Sequence, residues 1–171
     1  LIPLKVGNNW LYRSTTPYSA IIDTFTIKVT GTTKISGKSC YTLHHDRYSG
    51  SLYYTIKDDG VYEVNPNSTN YDNIVYKYPC SKDDTFKAYR YTAPFKVESI
   101  SEIITVPAGT FTCIKYSIFG RASTYLHTDY NRITDWVCPG IGLIKSECAC
   151  YNTVTQAYDV DSIDELVNYT I

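Results

Sequence analysis

The sequence has no methionine, almost no net charge and no long apolar run. Sixteen basic residues nearly balance seventeen acidic ones, so the formal charge is −1 and the pI is near 6.3. That balance argues against a nucleic-acid-binding surface and against a polybasic membrane anchor. No stretch approaches the roughly 18–20 apolar residues of a transmembrane helix. No window of a dozen residues carries a convincing 3.6-residue stripe, which argues against a helical protein. The missing methionine includes the first position, since the chain opens Leu1-Ile2-Pro3. We read that opening as an N-terminus left by signal-peptide removal, the alternative being a trimmed boundary.

What is abundant is tyrosine (18) and cysteine (6) in a chain of 171 residues. The length suits one domain, taken as residues 1–171, large enough to bury a core without staples. An exported protein would pair Cys40, Cys80, Cys113, Cys138, Cys148 and Cys150 as disulfides, in a connectivity the sequence does not reveal. Asn67-Ser68-Thr69 and Asn168-Tyr169-Thr170 are glycosylation sequons, and modification at either stays open. Together these features point to an extracytoplasmic location: secreted, cell-surface or periplasmic.

β-Branched and aromatic residues dominate, with turn residues at short intervals, as in a meandering antiparallel sheet. Thr24 to Thr30 alternates strictly, with Phe25, Ile27 and Val29 facing the core and Gly31 ending the strand. Ser36-Gly37 and Asp58-Asp59-Gly60 are hairpin turns. In Phe95 to Val106 the apolar phase slips by one residue, which predicts a β-bulge near Ser99. Pro107-Ala108-Gly109 turns into a strand from Phe111 to Phe119. Thr124–Asp129 and Arg132–Val137 read as a strand pair, and Leu143–Tyr151 and Leu166–Ile171 as the last strands. Ser81–Tyr89 could hold a helical turn, and Asp161–Val167, capped by Asp161 or Ser162, is the modest helical candidate.

The chemistry motifs are weak. Cys113 has His44, His45 and His127 as conceivable catalytic partners, but no spacing selects one, so a core or disulfide cysteine is the better reading. Cys148-Ala149-Cys150 places two sulfurs on one strand face, yet the remaining cysteines lack zinc-ribbon spacing. Asp159 to Glu165 departs from the calcium-loop pattern in spacing and in lacking glycine. Glu63, Glu98, Glu102 and Glu147 fit the polar face of a sheet. No catalytic residue, metal or cofactor is assigned, and the chain reads as non-enzymatic. Tyr48, Tyr53, Tyr54, Tyr62, Tyr71, Tyr76, Tyr78, Tyr89, Tyr91, Tyr116, Tyr125 and Tyr130 read mainly as cross-strand stabilisers, with a ligand groove or interface as the other use.

Several segments resemble a family of bacterial exported, lipoprotein-type domains, the TapB-like domains. Pro3-Leu4-Lys5-Val6-Gly7-Asn8-Asn9-Trp10-Leu11-Tyr12 is similar to the opening P-L-x-x-G-x-x-W-x-Y. Ile35 to Lys38 and Asp59-Gly60-Val61-Tyr62 resemble its hairpins. Val106-Pro107-Ala108-Gly109-Thr110-Phe111-Thr112-Cys113 is similar to V-P-A-G-T-F-x-C. Trp136 to Lys145, with Pro139-Gly140-Ile141-Gly142-Leu143-Ile144-Lys145, resembles a further segment, and Glu165 to Tyr169 resembles the common ending. The resemblance implies one strongly curved antiparallel sheet, a LolA-like half-barrel with at most one or two short helices. It implies no catalytic residues. Gly7, Trp10, Tyr12, Pro107, Gly109, Phe111, Trp136, Gly140 and Gly142 then serve as scaffold. Gly140 and Gly142 would let the chain pass close to the sheet. The cysteines beyond Cys113 depart from the family pattern and suggest extra disulfides.

Two functions fit these observations. One is a surface structural or interaction protein that binds a protein partner, itself included, through open sheet edges. The other is a binding module with a lipid, glycan or peptide on the concave face.

Overall fold

The computed structural model describes residues 1–18, 22–67, 72–88, 93–121 and 130–171. The expected strand 124–129 lies outside them, as do Tyr71, Tyr89, Tyr91, Tyr125, His127 and the side chain of Tyr130. The strands are β1 (Asn9–Thr15), β2 (Ile22–Ile35), β3 (Lys38–His45), β4 (Ser51–Lys57), β5 (Gly60–Val64), β6 (Asp72–Lys77), β7 (Thr85–Phe86), β8 (Phe95–Val106), β9 (Gly109–Arg121), β10 (Tyr130–Cys138), β11 (Gly142–Asn152) and β12 (Ala157–Thr170). They form one antiparallel sheet in the order β6-β5-β4-β3-β2-β1-β12-β11-β10-β9-β8-β7. Every neighbour but one is a sequence neighbour. The exception, β1 against β12, joins two meanders through the chain ends.

The expected half-barrel needs correction, because the sheet rolls further, into a nearly closed barrel. Its two outer strands approach each other and are held by side chains. The Tyr116 hydroxyl on β9 donates to the Lys77 carbonyl at the end of β6 (2.8 Å). Lys77 Nζ pairs with Asp84, just before β7, at 2.9 Å. The Tyr76 and Tyr116 rings lie 5.3 Å apart. Right-handed twist accumulated over so many strands naturally brings distant edges together.

Two apolar clusters fill the structure. One gathers Trp10, Tyr12, Phe25, Val29, Trp136, Ile144 and Leu166. The other gathers Tyr76, Phe86, Phe95, Val97, Ile114, Tyr116 and Val137 around the seam. At roughly 25 cal/mol per square ångström of apolar surface removed from water, each fully buried aromatic contributes a few kcal/mol.

Both expected hairpins form, with Ser36 and Gly37 at φ 49° and 81°. The ladder between β8 and β9 slips at Ser99, where the phase change demands it. Gly31 does not end its strand. Thr30 is the extra residue of a bulge, and β2 runs on to Ile35. The helical candidate 161–167 is likewise wrong, since it lies inside β12. Bulges leave Asp161 unopposed by β11 and Val167 unopposed by β1. Each inserts one residue into a period of two, so the apolar spacing imitates a helix. Ser81–Asp84 is a turn that leads into β7, and the described residues contain no helix.

Candidate functional site

The strongest chemical feature inside the barrel is a buried carboxyl. Asp135 on β10 stands between Tyr116 of β9 and Ser146 of β11 in the ladder. The Tyr76 hydroxyl donates to its Oδ2 at 2.9 Å, and the Ser146 hydroxyl donates to its Oδ1 at 2.7 Å. Burial pushes the Asp135 pKa up, the two donors oppose that shift, and nearby Asp164 adds to it. Burial also raises the Tyr76 and Tyr12 hydroxyls far above their usual range. With both oxygens engaged, Asp135 acts as a polar tie across the barrel from β6 to β11.

A carboxyl with a raised folded-state pKa stabilises the fold fully below its ordinary value of 3.8. That contribution is lost as pH rises through the folded value. Asp135→Asn keeps one acceptor and cannot ionise. Its stability should therefore decline less than wild type as pH rises above 3.8 in urea titrations. Parallel curves would remove Asp135 as the cause.

The scaffold residues cluster where β1 meets the β10–β11 corner. Trp10 Nε1 donates to the Ile141 carbonyl (2.7 Å), and the Tyr12 hydroxyl donates to the Leu143 carbonyl (2.9 Å). Gly142, at φ 114°, sits where a Cβ would stand 3.5 Å from Trp10 Nε1. Gly140 has open space around it, so the close approach belongs to Gly142 alone. Ala108, between Pro107 and Gly109, donates its N–H to the Leu166 carbonyl, folding the β8–β9 turn over β12. Phe111 meets Tyr169 edge-on at 6.2 Å. Gly7 N–H donates to the Val29 carbonyl (2.9 Å), which starts the β1–β2 pairing.

Trp136 is the other anchor. Its Nε1 donates to Glu102 (2.9 Å), and the Lys115 and Lys145 ammoniums lie 5.3 and 5.2 Å from its ring centre. Glu102 and Glu147 are thus engaged with Trp136, Lys115 and Lys145 in an ordinary sheet surface. His45 stacks on Phe25 (4.8 Å) and meets Tyr48 at a tilt (4.4 Å), and burial lowers its pKa. His45 lies on β3 and Cys113 on β9, strands that are not neighbours in the sheet.

The structure bridges none of the six cysteines expected to form disulfides. Cys40 is buried on β3 opposite Thr33, and Cys80 Sγ lies 3.7 Å from the Tyr116 hydroxyl. Cys148 and Cys150 follow each other along β11. Cys113 and Cys138 sit on the neighbouring strands β9 and β10. Among the described residues no three His, Cys, Asp or Glu side chains converge as a metal site would need.

Among the described residues, most of the outer edge of β8 is open. β7 pairs only with Phe95 and Lys96, and Asp83 and Asp84 bond Val97. Beyond Val97 the outer edge of β8 has no partner strand among the described residues. Ile100 and Ile103 on it are 52% and 71% exposed. Sequence reasoning saw the apolar residues but not their exposure, because the bulges at Ser99 decide which way they point.

No curated protein sequence matches this chain. Among solved structures, it is similar to a candidate exported protein with a YmcC-like fold from Bacteroides fragilis, with TM-score 0.59 and 17% identity over 99% of this chain and 98% of that one. It is also similar to a candidate lipoprotein from Parabacteroides distasonis, with TM-score 0.55 and 15% identity over 99% and 97%. These likenesses establish a shared fold. A family model described as DUF3108-like matches residues 63–160, a span that holds Val106–Cys113 and Trp136–Lys145 but none of the other segments quoted for the TapB-like resemblance, and no match supports the TapB-like family itself. The chain belongs to the DUF3108-like family.

Proposed function

We propose that this is a non-enzymatic extracytoplasmic interaction protein that associates with a protein strand, most simply a second copy, along the outer edge of β8. The observation that carries the reading is the open edge from Glu102 to Val106, with Ile103 exposed on it. An unpaired row of N–H and C=O groups is a template for strand addition. The bulges at Ser99 twist the first half of β8 away, leaving the regular second half as the pairing segment. The near-zero charge opposes self-association little. Relatives of the fold described as exported or lipoprotein support the location, and the TapB-like motifs point the same way. The engaged carboxyl of Asp135 supports a structural use of the one deeply buried acid described inside the barrel.

Sedimentation velocity should show oligomers that grow with concentration. Ile103→Lys, which places a charge on the edge, should return the protein to monomer with an unchanged melting temperature. A wild type that stays monomeric at its highest soluble concentration defeats the self-association reading. Native mass spectrometry showing a retained lipid, glycan or peptide would favour the binding-module alternative.

A further inference from the structure

We infer that Cys113 and Cys138 form a cross-strand disulfide that locks β9 to β10, while the other four cysteines remain thiols. The ladder between these strands places Val137 opposite Ile114. That is the last pair of the ladder, and the same register continued by one residue brings Cys138 beside Cys113, whose thiol feels the Cys138 sulfur. Cys138 is still in regular pairing on its other side, opposite Gly142, and Cys113 is opposite Glu102. Directly opposed residues of an antiparallel pair have Cα atoms about 4.5–5.5 Å apart and side chains on one face. A disulfide spans about 4.4–6.8 Å between Cα atoms, so such a pair lies within bridging range.

The face assignment agrees. Lys115 and Trp136, each two residues away, also share a face, with the ammonium 5.3 Å from the ring centre. Cys113 is fully buried, and Cys138 packs against the same cluster. The remaining cysteines are placed differently. Cys148 and Cys150 alternate along one extended strand, which separates their Cβ atoms by roughly 7 Å, beyond the ~4 Å of a disulfide. Cys40 faces Thr33, and Cys80 faces the Tyr116 hydroxyl. The bridge would join the segment Val106–Cys113 to the segment Trp136–Lys145, the two corners that fold over Trp10 and Leu166.

The chemistry is thiol–disulfide exchange with a small or protein disulfide as oxidant, as an extracytoplasmic compartment supplies. Cys138, the more exposed thiol, attacks the oxidant as thiolate and releases one thiol. Cys113 then displaces the second thiol from the mixed disulfide. One S–S bond breaks in the oxidant and one forms in the protein, and two electrons and two protons leave with the oxidant's thiols. Burial pushes the Cys113 thiol up to about 12, and the adjacent Cys138 sulfur adds to the shift. Closure therefore belongs to folding, before the core seals over Cys113.

The inference rests on the exported reading only for its oxidant. The full chain would be refolded from denaturant in a glutathione redox buffer, alkylated, and mapped by non-reducing peptide mass spectrometry. The expected result is one bridge, between the Cys113 and Cys138 peptides, with four cysteines alkylated. Native protein should lose it to dithiothreitol at least about tenfold more slowly than denatured protein. Cys138→Ser should abolish the bridge, whereas Cys40→Ser should not. A different pairing, or six alkylated cysteines after oxidative refolding of the wild type, overturns the inference. A bridge that forms in the refolded protein but is missing from acid-quenched protein taken from its native cells overturns the exported reading and leaves the pairing standing.

Discussion

Trp10→Ala is expected to lower stability by about 3–5 kcal/mol, the usual cost of emptying a buried tryptophan site. In a chain of this length that corresponds to a fall in melting temperature of about 10 °C. Trp10 is 3% exposed and lies in the cluster with Tyr12, Phe25, Ile144 and Leu166. It also donates to the Ile141 carbonyl, in the corner just before Gly142. The loss therefore combines a cavity with an orphaned acceptor. Trp10→Phe separates the two, because it keeps much of the ring volume and removes the donor. Its expected cost is about 1–3 kcal/mol. Urea unfolding followed by far-ultraviolet dichroism measures both. A Trp10→Ala protein within about 1 kcal/mol of wild type would show that the β1 clamp on the β10–β11 corner is dispensable.

Gly60→Val should be as damaging, for a reason confined to the backbone. Gly60 opens β5 at φ 156°, and a Cβ there would overlap the backbone carbonyl oxygen of Tyr76 on β6. A backbone neighbour cannot rotate away as a flexible side chain would. The β5–β6 pairing would have to separate, and it already carries a register shift beside Val61. β6 supplies Tyr76 to Asp135 and the Lys77 carbonyl to Tyr116, so the seam of the barrel should loosen with it. The expected loss is about 3 kcal/mol or more, with fast amide exchange across β6. Gly37→Ala is the control. Gly37 also has a positive φ, 81°, but no atom within 4 Å of the added carbon. It should cost only about 1–2 kcal/mol, the price of the left-handed conformation. Equal effects at the two glycines would refute the overlap as the cause.

Much of the fold was legible in the residues. Strict alternation from Thr24 to Thr30, the two hairpin turns and the slip at Ser99 each reflect local physics, and local physics is written in adjacent side chains. The errors fell where a bulge altered the period. Thr30 and Asp161 are extra residues whose effect depends on the opposing strand, so Gly31 looked like an end and part of β12 looked like a helix. The barrel seam was not legible. Tyr76 and Tyr116 are forty residues apart, and nothing in their surroundings marks them as partners.

By itself the sequence determined an all-β antiparallel chain, because β-branched and aromatic alternation leaves no helical face to bury. It determined too that the cysteines, the tyrosines and the near-zero charge needed explaining. Only the tertiary structure decided how far the sheet rolls, since that depends on twist summed over many strands. It alone set Val137 opposite Ile114, and with them Cys138 beside Cys113, because register is a property of two strands and of neither one alone. It also decided that Ile103 faces water on an open edge while Asp135 is enclosed and fully engaged. Which side of a strand ends up inside is fixed by what the rest of the sheet wraps around.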